Sequence, residues 1–195
     1  MWDERYGQEG FAFGTEPNDF LREVADRIPR GDVLCLGEGE GRNAVFLAER
    51  GYRVTAVDAS SVGLDKTQRL AASRSTEVTT VLADLADYTI DAEAWDGVVS
   101  IFCHLPPVLR AEVHRQVVRG LRPGGVAVLE GYTPEQLDFG TGGPPVAELL
   151  YEPDTIFRDF ADLELEIAHY GVRDVHEGRY HNGEAAVVQV LARKG

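Results

Sequence analysis

A chain of 195 residues, 44% hydrophobic and 27% charged, is the size of one soluble domain that can bury its own core without cross-links. Its net charge of -14 repels phosphate backbones and anionic headgroups, which argues against nucleic acid or a membrane surface as partner and favours small neutral or cationic ligands. No apolar stretch is long enough to cross a bilayer and the acidic start MWDERYGQEG does not read as a signal peptide, so a cytoplasmic location is expected. Cys35 and Cys103 sit in apolar runs. Two buried, reduced thiols are the default reading, and a metal site would need more ligands.

The first thirty or so residues are aromatic-rich and then helical, with Asn18 placed to cap NDFLREVADRI. GDVLCLGEG then reads as a strand entering a glycine turn, and RNAVFLAERG as a helix with Ala44, Phe46, Leu47 and Ala48 on its inner face and Gly51 at its left-handed end. YRVTAVDAS, EVTTVLADL, WDGVVSIFCHL and GGVAVLEGY read as further strands. SVGLDKTQRLAASRS and the proline-opened PPVLRAEVHRQVVRGL read as helices between them. This alternation predicts a doubly wound α/β fold, a parallel sheet covered on both faces. The tail breaks the pattern: LELEIAHYGVRDV and EAAVVQVLARK, joined by HEGRYHNG, predict an antiparallel hairpin. TPEQLDFGTGGPPVAELLYEP has loop chemistry over a length typical of functional lids.

In an open parallel sheet a ligand binds beyond the carboxyl ends of the strands, which makes the loop Gly37 to Gly41 the leading candidate. Gly37, Gly39 and Gly41 have the spacing G-x-G-x-G, whereas a dinucleotide fingerprint needs its third glycine where Arg42 stands. A pyrophosphate beside Glu38 and Glu40 would also cost about 1 kcal/mol or more per charge at moderate effective dielectric. S-adenosylmethionine is net cationic and tolerates both acids, so it is the expected cofactor. Asp58, at the end of the second strand and about 20 positions beyond Gly37, is placed to accept the ribose hydroxyls. Asp84 and the Leu85 N–H are placed for adenine. For Asp58 and Asp84 the plainer alternative is a polar residue where a strand leaves the core.

The stretches VLCLGEGEGRNAVFLAERG, VTAVDAS, VLADLADY, WDGVVSIFCHL and LRPGGVAVLEG together resemble the class I S-adenosylmethionine-dependent methyltransferases. GRNAVFLA and the N-terminal WDERY and FGTEPNDFL resemble the small tellurite-resistance and thiopurine-type branch. The resemblance implies a seven-stranded sheet of order 3-2-1-4-5-7-6 with strand 7 antiparallel. It also implies a cofactor site comprising Gly37, Glu38, Gly39, Gly41, Arg42, Asn43, Asp58, Ala59, Asp84, Leu85 and Phe102. One departure stands out: the family often has an acid two positions before the first glycine and a small residue or cysteine just after it. Here Cys35 and Glu38 hold those places. Glu38 is therefore expected to hold the methionine ammonium.

Three residues are candidates for the chemistry. His104 follows the fourth strand as a base, a substrate contact or a ring capping the next helix; Arg179 and His181 lie in the hairpin turn, on the edge of the glycine loop. Trp2, Tyr6, Phe11 and Phe13 form either an aromatic cap over the site or an arm packed on the sheet. His114 and His169 read as structural.

The expected organisation is a single domain over 1–195. It comprises an N-terminal cap and helix over 1–30, a cofactor-binding core over 31–132, a lid or substrate segment over 133–160 and the hairpin over 161–195. The expected function is methyl transfer to a small molecule, such as a thiol, a thiopurine or a chalcogen oxyanion, by a monomer or homodimer. A nucleotide-dependent oxidoreductase and a non-catalytic S-adenosylmethionine-binding protein are the alternatives.

Overall fold

In the computed structural model, which describes residues 2–195, the alternation of apolar runs resolves into one sheet. Its strands are β1 (Asp32–Leu36), β2 (Arg53–Asp58), β3 (Thr79–Leu82), β4 (Trp95–Ile101), β5 (Leu121–Tyr132), β6 (Glu164–His176) and β7 (Asn182–Arg193). The order is β3-β2-β1-β4-β5-β7-β6, as the resemblance implied. β1 to β5 pair in parallel, and β7 runs antiparallel to both β5 and β6.

The helices are α1 (Trp2–Tyr6), α2 (Asp19–Val24), α3 (Arg42–Glu49), α4 (Ser61–Ser73), α5 (Pro107–Gly120) and α6 (Pro153–Asp159). Val33, Leu34, Cys35 and Leu36 of β1 are all buried, which requires cover on both faces. Successive side chains of a strand point to opposite faces. Val33 and Cys35 accordingly join a layer with Phe20, Leu21 and Leu47, while Leu34 and Leu36 join another with Val113, Ile156 and Phe160. Both cysteines are buried and free.

Local chemistry sets the boundaries. The Asn18 side chain accepts the Leu21 N–H, as the cap expectation required. α3 buries Ala44, Val45, Leu47 and Ala48. Phe46, expected on that inner face, is only partly buried and carries the Arg50 guanidinium over its ring, so Val45 takes the inward place. The segment after β5 is less irregular than its turn-rich sequence suggests. It contains short 3-10 turns at Pro134–Asp138 and Ala147–Leu149, and ends in α6, opened by Pro153 as α5 is by Pro107. Among the described residues no helix is long and apolar enough to cross a membrane.

Candidate active site

β1, β2, β3, β4 and β5 deliver Gly37, Asp58, Asp84, Phe102 and Tyr132 to one edge of the sheet, or just beyond it. At Gly37 the backbone is left-handed (φ 59°), and a Cβ there would lie 2.5 Å from Cys103 Sγ. Only glycine satisfies both the conformation and the approach. At Gly39 (φ 63°) a Cβ would lie 2.5 Å from the Tyr6 hydroxyl, so the aromatic arm rests directly on the loop. Gly41, also left-handed, precedes α3.

The acids of this edge take distinct partners. Glu38 Oε1 accepts the N–H groups of Ala44 (2.8 Å) and Asn43 (3.1 Å), capping the start of α3. Burial pushes its carboxyl up to about 7, against the pull of the Ala44 N–H and the Arg42 charge. Burial first, and then the Glu38 carboxylate, raise the Cys35 thiol, so the acid stands against the cysteine that occupies the usual acidic position. Glu40 turns away: Oε2 accepts the Ala12 N–H (2.7 Å) and Oε1 takes Lys66 Nζ (2.9 Å). It thus fastens the N-terminal arm, and its charge does not face the loop's open side as the charge argument assumed. Asp58 Oδ2 accepts the Gly39 N–H and Oδ1 the Ser60 N–H, each at 2.8 Å, with Ala59 exposed between; burial raises its carboxyl. Asp84 is exposed and nucleates a turn through the Ala86 N–H, above a buried Leu85.

The cations beside the loop are already engaged. Arg42 Nη2 lies 2.6 Å from Glu177 Oε2, with both side chains buried, and Lys66 is held by Glu40. Asn43 Oδ1 accepts the Asn18 N–H, so its side chain serves the arm. A pyrophosphate would find no unpaired basic side chain in this set. Two carboxylates and the loop's main chain suit a cationic, hydroxyl-bearing ligand, and S-adenosylmethionine has that chemistry.

Phe102 has a left-handed backbone (φ 52°), costly for a side-chain-bearing residue, and its N–H donates to the Glu130 carbonyl at 2.7 Å. Its ring stacks on Tyr132 at 4.4 Å and meets the His181 imidazole at 4.7 Å; Phe13 packs on His181 at 4.6 Å. The aromatic arm therefore covers this edge, with Trp2 stacked on Tyr6 and Phe11 packed against the core.

The three candidates for the chemistry separate. Both ring nitrogens of His104 are engaged, Nδ1 with the Leu149 carbonyl (2.9 Å) and Nε2 with the Tyr132 N–H (3.1 Å), and burial lowers its value to about 4. It is a brace between β4, β5 and the segment that follows β5. Arg179 is exposed and bonds Gln8 at the outer surface of the arm. His181 is buried in the aromatic cluster, its Nδ1 has no partner, and burial and then the Arg42 charge lower it to about 3. His114 is held by Asp159, as a structural histidine should be.

Sequence reasoning missed Glu177 and Tyr132. Glu177 takes Asn18 Nδ2 and Arg173 Nη2, both at 2.9 Å, besides pairing with Arg42. Its position in a polar turn gave no signal of burial. Tyr132 could have been found as the aromatic end of β5, where that strand reaches the ligand edge.

The sheet order, the antiparallel β7 and the glycine loop after β1 are those of the class I S-adenosylmethionine-dependent methyltransferase fold. Residues 33–125 match the model of the methyltransferase domain family, in line with the expected class I methyltransferase resemblance. A 2-heptyl-1-hydroxyquinolin-4(1H)-one methyltransferase of Mycobacteroides abscessus is 28% identical over 142 residues, 71% of this chain and 63% of that protein. A cypemycin N-terminal methyltransferase of a Streptomyces species is 34% identical over 114 residues, 56% of this chain and 45% of that protein. The matches thus span less than two thirds of either relative. TehB from Haemophilus influenzae superposes with a TM-score of 0.76 at 19% identity, over 100% of this chain and 66% of that one, a likeness of fold.

Proposed function

We propose that this chain transfers a methyl group from S-adenosylmethionine to a small molecule. The observation that carries the reading is the charge arrangement at the first loop: Glu38 and Asp58 flank it while Arg42 and Lys66 are spent on other carboxylates. When bound there, the cofactor supplies an electrophilic methyl group on a sulfonium. In this reading Asp58 accepts ribose hydroxyls, Glu38 faces the ammonium with its second oxygen, and the Gly37 and Gly39 main chain lines the loop beside Gly41 and Ala59. Asp84 and the Leu85 N–H take adenine, and Phe102 flanks the methyl position. Toward the cofactor Arg42 and Asn43 act indirectly, by fixing the start of α3 against the hairpin and the arm. An in-line displacement needs alignment and exclusion of water; Tyr6 and Phe13 supply the cover. His181 orients the acceptor, and Arg179 steadies the arm above it.

Thiols, thiopurines and chalcogen oxyanions are acceptor classes compatible with a site that lacks a strong base. The relatives' names add an N-hydroxylated quinolone and a peptide N-terminus as acceptors in their own proteins. Calorimetry with S-adenosylmethionine, S-adenosylhomocysteine and NAD tests the cofactor, and labelled-methyl transfer across these acceptors tests the reaction. Tighter binding of NAD than of either adenosyl compound overturns the proposal. A second reading, a cofactor-binding protein without turnover, is favoured by the engagement of both His104 nitrogens. Tight S-adenosylhomocysteine binding with no transfer to any acceptor would support it.

A further inference from the structure

Among the buried side-chain atoms without a hydrogen-bond partner are Arg42 Nη1, Tyr132 Oη and His181 Nδ1. The three residues are 7%, 1% and 7% exposed. Buried polar groups are nearly always satisfied, and one left without a partner is costly to the fold. The three also neighbour one another. The Tyr132 and His181 rings meet edge-on at 5.4 Å, and Arg42 joins them through Glu177, whose Oε2 lies 2.6 Å from Arg42 Nη2 and whose N–H donates to the His181 carbonyl at 2.7 Å. They come from α3, the end of β5 and the hairpin turn, so the convergence is a product of the tertiary fold.

The surroundings restrict what they can bind. Phe102 stacks on Tyr132, and Phe13 packs on the other ring of the set, His181. The lid crosses at Gly142, where a Cβ would lie 2.8 Å from Tyr132 Oη and 3.0 Å from His181 Cδ2. The charges balance: Arg42 and Arg173 face Glu177 and Glu130, with Asp19 at the outer rim. No surplus positive charge is left to hold an oxyanion, and burial keeps the imidazole uncharged.

We propose that Arg42, Tyr132 and His181 form the acceptor subsite, and that it selects an uncharged aromatic molecule carrying a hydroxyl or carbonyl oxygen. Arg42 Nη1 donates to that oxygen, the Tyr132 hydroxyl and His181 Nδ1 bond it from either side, and the Phe102 and Phe13 rings flank the aromatic body. The inference rests on the methyltransferase reading and narrows it, because it removes tellurite-like dianions from the acceptor classes.

The test is calorimetric titration of the full chain, first with S-adenosylhomocysteine and then, on that complex, with 2-naphthol, 2-naphthalenethiol and tellurite. The two naphthalenes share a ring system and differ in the atom the subsite would read. We expect 2-naphthol to bind, tellurite not to compete with it, and Tyr132→Phe to weaken 2-naphthol about tenfold or more. The thiol and S-adenosylhomocysteine should shift less than twofold. Tyr132→Phe removes a hydroxyl with no partner in the fold, so the variant should keep its melting temperature; Arg42→Lys, which keeps the charge beside Glu177, should act in the same direction. Equal weakening of naphthol and thiol, no weakening, or competition by tellurite overturns the subsite. S-adenosylhomocysteine binding without naphthol binding overturns it too while leaving the methyltransferase reading intact. Failure of S-adenosylhomocysteine itself removes both.

Discussion

The Glu38 carboxylate accepts the main-chain N–H of Ala44 at 2.8 Å, from the position directly after the first glycine of the loop. The resemblance implies an acid at the place of Cys35; here the acid stands inside the loop, at Glu38, and caps the start of α3. Glu38→Ala should therefore cost about 1 kcal/mol through loss of that cap. The exchange Cys35→Asp with Glu38→Cys should recover much of it, read by urea denaturation. Failure of the double variant to exceed the single one would show that the two positions are not interchangeable.

The same carboxyl carries a pH signature. Its folded value, about 7, lies above the ordinary 4.5, so between them the folded chain binds more protons than the unfolded one. The stability it contributes is full below pH 4.5 and is lost as pH rises through 7. Ligand binding runs the other way, because the ionised form attracts a cationic cofactor. Affinity for S-adenosylmethionine should rise from pH 5.5 to 8, by up to tenfold per unit below pH 7, and Glu38→Gln should flatten the profile in calorimetry. A wild-type affinity that does not change with pH would remove Glu38 from the cofactor's contacts.

Asp58→Ala should weaken S-adenosylmethionine by about 1–3 kcal/mol. It should also lower the melting temperature, since the Gly39 and Ser60 N–H groups lose their acceptor. Asp58→Asn separates the effects: it keeps an acceptor oxygen for one N–H while removing the charge. Cofactor affinity unchanged in both variants would refute the ribose role.

His104→Phe should destabilise the fold by about 1–3 kcal/mol for each of the two main-chain groups it abandons, the Leu149 carbonyl and the Tyr132 N–H. Its folded value of about 4 lies below 6.5, so its contribution is full above pH 6.5 and is lost as pH falls toward 4. The variant should therefore be less sensitive to acid over that window in thermal melts, with the shape of the kcat/KM pH profile unchanged. A lost limb in that profile would return His104 to the chemistry.

These expectations differ in how far the sequence anticipates them. The sheet order follows from apolar runs of strand length, glycine turns and one helix-free tail, all local signals that survive packing. Asp58 and Phe102 are legible because a strand's end fixes where its next residue goes. The role of His104 is not, since its partner Leu149 belongs to the segment after β5, whose path no local pattern encodes. Glu177 looks like a solvated turn residue until Arg42, Asn18 and Arg173 are brought around it. Glu40 illustrates the limit from the other side: its charge was legible and its direction was not.

Glu40→Ala should cost about 1–3 kcal/mol, because it frees the Ala12 N–H and removes the carboxylate from Lys66, which keeps only the Gln8 and Gly10 carbonyls. Hydrogen exchange and limited proteolysis should then report the loss at residues 2–15, with the sheet unaffected. Protection of the arm equal to wild type would show that its aromatic contacts suffice.

Because Glu40 belongs to the glycine loop and also clasps Ala12, the arm cannot lift away without tugging on the loop beneath it. Whatever sits under Tyr6 and Phe13 must wait for a latch built into its own binding loop to release. The residence time of a spent product should then be set by the parting of the Ala12 N–H from Glu40 and of the Gln8 and Gly10 carbonyls from Lys66, and turnover by the opening of a door whose hinge is the floor.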